Sequence, residues 1–177
     1  MTKNVLSNKR VLAVDDERDI LETLEELLEG FEGLTLDKAE DFDTGYHLLR
    51  SWSYDLVILD IMGVRGFDLL NAAVSLGFPA VMLTAHALSL ENLKKSIELG
   101  ARAFLPKEKM IEIVSFLEDV LRLEYQAAWL RSFERLGGFF GVRFGKEWHK
   151  NKKEFLKEIE SGVYKPTIIY FQKPKRS

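Results

Sequence analysis

Five polar residues of this sequence stand at the ends of short apolar runs, where they could take part in chemistry. They are Asp15, Asp16, Asp60, Thr84 and Lys107. A continuous run of valine, isoleucine and leucine without alternation is typical of a buried parallel strand. The carboxyl ends of parallel strands lie at one edge of a sheet, and open α/β folds bind their ligands there. We therefore expect these five side chains to converge at one edge.

The predicted cluster combines three carboxylates with one ammonium group and one hydroxyl group. Carboxylates held close together repel one another and raise one another's pKa. A hard divalent cation such as Mg²⁺, which prefers oxygen ligands, would relieve this repulsion, and so would the ammonium group of Lys107. Both would also neutralise charge on a transferring phosphoryl group, and aspartate is an established nucleophile toward phosphorus. The set is therefore suited to Asp60 as a carboxylate that attacks phosphorus.

The elements that must position these residues alternate along the chain. The predicted strands are residues 10–15, 34–39, 54–60, 79–84 and 102–105. Stretches with apolar residues at helical spacing lie between them, and a further helix is predicted to begin near Lys109. This alternation predicts βαβ units, with a mostly parallel five-stranded sheet and helices on both faces. The fold class is therefore α/β, with right-handed crossovers.

With these motifs in place, the sequence resembles the receiver domains of bacterial response regulators in two-component signalling. The resemblance covers roughly residues 9–121. It rests on four motifs in the family's order and spacing: Val14-Asp15-Asp16, Leu59-Asp60, Leu83-Thr84-Ala85 and Phe104-Leu105-Pro106-Lys107. It implies a flavodoxin-like, doubly wound parallel sheet with strand order 2-1-3-4-5.

The resemblance also implies a partner for Asp60 and a metal for the acidic residues. Asp60 would accept a phosphoryl group from a sensor histidine kinase or a phosphotransfer protein. Asp16 would bind Mg²⁺ directly and Asp15 through water, with Asp60 and the backbone carbonyl of Met62 as further ligands. The chain would then promote only its own phosphoryl transfer and dephosphorylation, and would not be an enzyme in any wider sense.

Three further residues receive roles from the resemblance. Lys107 would hold the phosphoryl oxygens, Thr84 would hydrogen-bond the phosphoryl group, and Phe104 would be the switch aromatic that moves inward when Thr84 does. Taken singly, most of the motifs have a structural explanation: an acidic pair favours a helix N-terminus, and an aromatic residue usually packs. Asp60 is the exception, because an unpaired carboxylate at the end of a buried strand is costly. The joint occurrence of all four favours the functional interpretation.

The loop after Asp60 departs from the family pattern. Receivers commonly carry a proline four residues after the acceptor and a glycine eight residues after it. Here there is no proline, and Gly66 comes six residues after Asp60. The loop is therefore two residues shorter, and the choice of kinase, the metal affinity and the phosphate lifetime do not follow from the resemblance.

Composition divides the chain into two parts. Up to Leu121 the net charge is −10, and from Arg122 to Ser177 it is +7. This asymmetry predicts a receiver at residues 1–121 and a basic helical extension at residues 122–177. The 177 residues include no cysteine, which excludes disulfide frameworks and thiolate metal sites. No apolar run is long enough for a membrane span, so no membrane partner is expected and the expected location is cytoplasmic.

In the extension, apolar residues continue at helical spacing from Met110 to Leu136 without a glycine or proline. They predict one helix of about 25 residues that continues the last receiver helix beyond the body. Residues 137–145 are expected to form a glycine-punctuated turn, residues 146–160 an amphipathic helix, and residues 164–172 a strand or strap. The projecting helix must bury its apolar side, either against the tail or against a second copy.

The leading hypothesis is a phospho-accepting receiver with output by protein interaction or dimerisation through the extension. The alternative is a transcriptional regulator whose basic tail, with interleaved aromatic residues, contacts DNA. A solvated lysine face on an amphipathic helix explains the same residues and is favoured over DNA contact. A phosphatase-type enzyme is a third class, but Met62 stands where such an enzyme usually carries a general acid.

Overall fold

The computed structural model describes residues 3–161 of the 177-residue chain. Strands and helices alternate through the first part of the chain, and two helices follow the last α/β unit. The strands are β1 Arg10–Val14, β2 Thr35–Ala39, β3 Leu56–Asp60, β4 Ala80–Thr84 and β5 Ala103–Pro106. The helices are α1 Arg18–Leu28, α2 Phe42–Ser51, α3 Gly66–Ser75, α4 Leu90–Glu98, α5 Ile113–Arg122, α6 Tyr125–Phe144 and α7 Lys146–Ser161, with a 3₁₀ helix at Lys107–Glu112 before α5.

The five strands form one parallel sheet in the order β2-β1-β3-β4-β5. Every residue of β3, β4 and β5 is buried, whereas the edge strand β2 is buried only at Ala39. This pattern explains the unbroken apolar runs of the central strands, because helices cover both faces of the sheet there. The predicted α/β fold and its strand order are confirmed.

Two of the helices, α2 and α4, start with side-chain caps. Asp41 accepts a hydrogen bond from the Thr44 N–H at the start of α2, and Ser89 accepts one from the Asn92 N–H at the start of α4. Each cap satisfies a backbone donor that a first helical turn leaves unpaired. The caps thereby stabilise the turns that lead into α2 and α4.

The prediction of one continuous helix from Met110 to Leu136 is wrong. α5 ends at Arg122, and Leu123 and Glu124 are extended, with ψ of 152° and 163°. No glycine or proline causes this break, so packing must impose it. After the break α6 turns back onto the receiver, where the Tyr125 hydroxyl donates to the Ile97 carbonyl.

The prediction of a turn at residues 137–145 is also wrong, because α6 runs through this segment to Phe144. Glycine within a helix costs roughly 1 kcal/mol relative to alanine. Burial of the neighbouring Phe140, which is 0% exposed, offsets that cost. The turn lies instead at Gly145, whose φ is 56°. The predicted helix at 146–160 is confirmed as α7. The strand or strap predicted at 164–172 lies outside the described residues.

We call α6 and α7 together, Tyr125–Ser161, the C-terminal hairpin. Its apolar side is buried within the chain, against α4, β5 and α5 and between its own two helices. The buried rings are Tyr125, Trp129, Phe133, Phe140, Trp148 and Phe155. Among the helices in the described part of the chain, none combines the length and apolarity needed to cross a bilayer.

Candidate functional site

Three strands deliver the charged residues to one edge of the sheet. Asp15 directly follows β1, Asp60 is the last residue of β3, and Lys107 directly follows β5. Parallel pairing of β1 with β3 brings Asp15 and Asp60 together, although 45 positions separate them in the chain. Asp15 and Asp60 are buried, at 2% and 5% exposed. Three of the five residues expected to converge therefore lie at one edge of the sheet.

The ammonium group of Lys107 lies between three carboxylates. Its Nζ is 2.8 Å from Asp15 Oδ2, 2.9 Å from Glu17 Oε1 and 3.1 Å from Asp60 Oδ2. Its side chain is only 6% exposed, so its ion pairs with the buried Asp15 and Asp60 are poorly screened by water. One buried cation thus faces a larger negative charge, and the site favours additional positive charge.

Burial and mutual repulsion set the protonation of the acids. Burial, with repulsion from Asp15, raises the pKa of Asp60 to about 6 despite the nearby Lys107. Burial also raises the pKa of Asp15. For Lys107, burial alone would lower the pKa, but hydrogen bonds to Asp15 and Glu17 outweigh it and raise the pKa. The lysine therefore stays protonated, while the two buried acids are destabilised in their charged forms.

The acidic residues fit a hard divalent cation. Carboxylate oxygens of Asp15, Asp16, Glu17 and Asp60 lie within 4.8 Å of one another. Asp15 Oδ2 is buried and lies 2.8 Å from Lys107 Nζ, an ammonium group that Asp15 shares with Glu17 and Asp60. Buried carboxylates that share one cation are costly in their charged forms, and Mg²⁺ is bound by such carboxylate oxygens together with water. The donor set is all oxygen, as Mg²⁺ requires.

Glu17 is the member of this cluster that the sequence did not identify as a site residue. Its carboxylate pairs with Lys107, which lowers the pKa of Glu17. From sequence alone, an acid at the start of α1 is explained by the helix dipole. The available signal was its place as the third consecutive acid after β1, but only the position of Lys107 distinguishes the two explanations.

The side chains of Thr84 and Phe104 lie in different surroundings. Thr84 ends β4 at the polar edge, is 0% exposed, and its Oγ1 accepts a hydrogen bond from the Ala87 N–H at 3.2 Å. Phe104 is buried in β5, and its ring lies 6.5 Å from the ring of Phe140 in α6. Phe104 therefore contacts the C-terminal hairpin, and the structure does not bring its ring into the charged cluster.

The short loop after Asp60 depends on two glycines. A Cβ on Gly66 would lie 1.9 Å from the Asp60 carbonyl oxygen, so α3 can begin this close to β3 only with glycine. Gly63 has φ of 82°, and a Cβ there would lie 2.3 Å from Asp16 Oδ2. Met62 lies within this loop, and its side chain is 56% exposed. The loop thus closes tightly against the acidic cluster.

Comparisons with known proteins agree with this geometry. The probable transcriptional regulatory protein SilR of Salmonella typhimurium is 37% identical over 120 residues, covering 64% of this chain and 51% of SilR. The transcriptional regulatory protein CpxR of Escherichia coli (strain K12) is 37% identical over 117 residues, covering 64% of this chain and 49% of CpxR. The chain therefore spans about half the length of these relatives.

A solved structure shares the fold over most of its length. The response regulator receiver domain protein (CheY-like) from Methanospirillum hungatei JF-1 superposes with a TM-score of 0.54 at 30% identity, covering 63% of this chain and 95% of that one. The family model described as the response regulator receiver domain matches residues 11–118, which is more than half of the chain. With its strand order and acidic cluster already in view, the chain belongs to the response-regulator receiver domain family of two-component signalling.

Proposed function

We propose that this chain is a cytoplasmic receiver that accepts a phosphoryl group on Asp60, in the presence of Mg²⁺, from a sensor histidine kinase or a phosphotransfer protein. The observation that carries the proposal is the position of Asp60. Its carboxylate ends a buried strand, with Lys107 Nζ 3.1 Å away and three further carboxylates beside it. A structural ion pair would not need so many like charges in one place.

Each residue has a task in this transfer. An Asp60 oxygen forms a bond to phosphorus as the bond from phosphorus to the donor imidazole nitrogen breaks, and the imidazole leaves neutral once protonated. Lys107 binds an oxygen of the transferring group and offsets its charge. Thr84, buried at the same edge, donates its hydroxyl to another oxygen. The chain then promotes its own phosphorylation and dephosphorylation and turns over no other substrate.

The metal site of this proposal comprises Asp15, Asp16, Asp60 and the backbone carbonyl of Met62. Bound Mg²⁺ would supply charge neutralisation at the phosphoryl oxygens. The excess of clustered carboxylates over the single ammonium group of Lys107 supports an ion at this place, and Glu17 lies close enough to add a further carboxylate. With a pKa of about 6, Asp60 is largely ionised at neutral pH and available as a nucleophile.

The test is incubation with acetyl phosphate and Mg²⁺, followed by intact mass measurement. The wild type should gain the mass of one phosphoryl group and Asp60→Asn should gain none. Asp68→Asn is the matched control, because Asp68 is an exposed carboxylate on α3 whose loss leaves the strand-end cluster intact. Equal phosphorylation of the Asp60→Asn variant, or none in the wild type, would contradict the proposal.

The proposed output is protein interaction through the extension, which we delimit as residues 122–177 beside a receiver of residues 1–121. Two observations support a role for the extension in output. The C-terminal hairpin packs on β5, the strand that leads into Lys107. The hairpin also contacts Phe104, the residue proposed as the switch aromatic. A change at the charged edge therefore has a short structural route to the hairpin.

DNA binding is a second candidate, favoured by one surface. Four exposed lysines recur on one face of α7: Lys146, Lys150, Lys153 and Lys157. The similar proteins SilR and CpxR are both described as transcriptional regulatory proteins. If this face contacts duplex DNA, the affinity should fall steeply with salt and should weaken in a Lys150→Ala/Lys153→Ala variant. Output by protein interaction alone predicts no such salt-dependent binding.

A further inference from the structure

The break between α5 and α6 is conspicuous because nothing in its own sequence requires it. The 30 residues from Lys107 to Leu136 contain no glycine or proline, and the apolar residues on both sides keep helical spacing. Leucine and glutamate, which occupy positions 123 and 124, are both good helix formers. Local sequence therefore favours a continuous helix, whereas the folded chain has an extended kink.

The kink is confined to two residues. The Leu123 N–H still donates to the Asp119 carbonyl as the last turn of α5, and the Ala128 N–H donates to the Glu124 carbonyl as the first turn of α6. Rotation of ψ at Leu123 and Glu124 from extended to helical values would thus join the two helices. A change this local is the property of a hinge.

Contacts with the receiver are what hold the chain in the kinked form. The Trp129 indole N–H donates to the Ala101 carbonyl at 2.9 Å, and the Tyr125 hydroxyl donates to the Ile97 carbonyl at 3.1 Å. Arg135 Nε lies 2.6 Å from Asp119 Oδ2 in α5. These bonds, together with the ring contact between Phe104 and Phe140, join the hairpin to α4, β5 and α5.

If the hinge straightened, both sides of this interface would be left without a partner. Trp129 and Phe104, each buried to 1% or less exposure, would face water, and the backbone carbonyls that bind Trp129 and Tyr125 would lose their donors. A second copy of the chain in the same state offers every one of these groups in the same geometry. Exchange of an identical element is a low-cost route to a dimer for this reason.

We propose that Leu123–Glu124 is a hinge at which α5 and α6 join into one helix, so that the C-terminal hairpin leaves its own receiver and docks on the same face of a second copy. The exchanged dimer has two such hairpins, each bound through the contacts seen within one chain. This inference goes beyond phosphoryl transfer and does not require Asp60 to accept phosphate.

The decisive test places single thiols on the two sides of the interface. The chain has no cysteine, so Asp119→Cys and Arg135→Cys each carry one thiol. The two variants are mixed at high concentration, allowed to exchange, and treated with a short bismaleimide. The proposal expects a covalent heterodimer that joins position 119 of one copy to position 135 of the other. Either variant alone should give no such product, because it lacks the partner thiol.

The double variant Asp119→Cys/Arg135→Cys is the control for geometry and folding. In dilute solution it should form the cross-link within one chain, since the two side chains meet in the kinked form. If that internal cross-link forms while the mixture of single variants gives no heterodimer, the proposal is overturned.

A second pair of substitutions, introduced into the mixed single-thiol variants, tests the hinge itself. Glu124 is exposed, and its φ of −69° suits proline, while the extended Leu123 suits the residue before a proline. Glu124→Pro should therefore keep the kinked fold but forbid the joined helix, and reduce heterodimer formation at least tenfold. Glu124→Ala removes the same charge but favours the helix, and should raise heterodimer formation several-fold. Equal exchange in the two backgrounds would overturn the hinge.

Discussion

The receiver's charged edge and the C-terminal hairpin are stabilised by opposite means. At the edge, Lys107 is surrounded by acids, and burial destabilises the charged forms of Asp15 and Asp60. Their charges therefore favour binding of a cation more than they favour folding. In the hairpin, rings pack on rings, with Phe140 and Trp148 centroids 4.7 Å apart and Phe133 and Trp148 centroids 5.4 Å apart. The first region should therefore respond to pH and metal, and the second to loss of volume.

The largest expected effect separates the two regions as folding units. Trp129→Ala removes a ring that is 0% exposed together with its hydrogen bond, and should lower the local stability of the hairpin by about 3–5 kcal/mol. Ile58→Ala in β3 should lower the free energy of global unfolding by about 2–5 kcal/mol. Hydrogen exchange by mass spectrometry distinguishes the two: Trp129→Ala should expose amides of α6 and α7 while the strands stay protected.

An equal loss of protection in β3 and α6 after Trp129→Ala would contradict this separation. The hairpin and the receiver would then unfold as one unit, and exchange between copies would require global unfolding.

The second effect concerns Asp60. Its folded pKa of about 6 lies above the ordinary 3.8, so the folded state binds more protons than the unfolded state between these pH values. Stability therefore falls as pH rises through this window, and the contribution of Asp60 is most favourable below about pH 4. The free energy of unfolding of Asp60→Asn, relative to that of the wild type, should thus rise by up to about 3 kcal/mol between pH 4 and pH 8. Urea unfolding without metal measures the difference.

Glu26→Gln, an exposed neutralisation on α1, is the control and should show no such trend relative to the wild type. Added Mg²⁺ should reduce the advantage of Asp60→Asn at pH 8, because only the wild type retains all the carboxylates. A stability difference that is constant from pH 4 to pH 8 would argue against burial as the cause of the raised pKa of Asp60.

A smaller effect tests the tight loop beside the acids. Gly63→Ala and Gly77→Ala both force alanine into a left-handed conformation, with φ of 82° and 79°. This strain costs roughly 1–2 kcal/mol at each position. At Gly63 the new methyl group would also press on Asp16, whereas nothing lies within 4 Å at Gly77. Gly63→Ala should therefore lower the free energy of unfolding by about 1 kcal/mol more than Gly77→Ala does, and it should bind Mg²⁺ more weakly. Equal Mg²⁺ affinity in the two variants would contradict the assignment of Asp16 as a ligand of the metal.

The smallest effect falls where the two regions meet. Ser89 caps α4 through the Asn92 N–H, and α4 contacts α7. Ser89→Ala should cost about 1 kcal/mol and loosen the first turn of α4. Hydrogen exchange in α7 should rise slightly, while exchange in β1 should not change. Unchanged hydrogen exchange in both α4 and α7 would show that the Ser89 cap does not stabilise the contact between these two helices.

The charged edge was predictable to the extent that it depends on strand ends. Asp15, Asp60 and Lys107 stand at the ends of apolar runs that are typical of buried strands, and parallel pairing then brings them together. Glu17 was missed because a helix N-terminus explains an acid equally well. Its ion pair with Lys107 spans 90 positions in the chain, and no local pattern records it.

The hairpin was less predictable, for a different physical reason. The helix pattern around Leu123 and the glycines at 137 and 138 gave the local preference, which was a long helix followed by a turn. Packing reversed both preferences, since the kink lets Trp129 reach the Ala101 carbonyl and the burial of Phe140 against Trp148 offsets the cost of glycine in the helix. Tertiary contacts routinely outweigh propensities of about 1 kcal/mol per residue.

By itself, the sequence determined the α/β fold, the strand order through its family resemblance, and the residues that meet at the carboxyl edge. Those features follow from burial patterns that repeat along short segments. Only the tertiary structure decided that Glu17 joins the cluster, that the chain bends at Leu123 and Glu124, and that the hairpin covers its own receiver. Each of these depends on contacts between distant residues, whose free energies exceed the local preferences that a sequence displays.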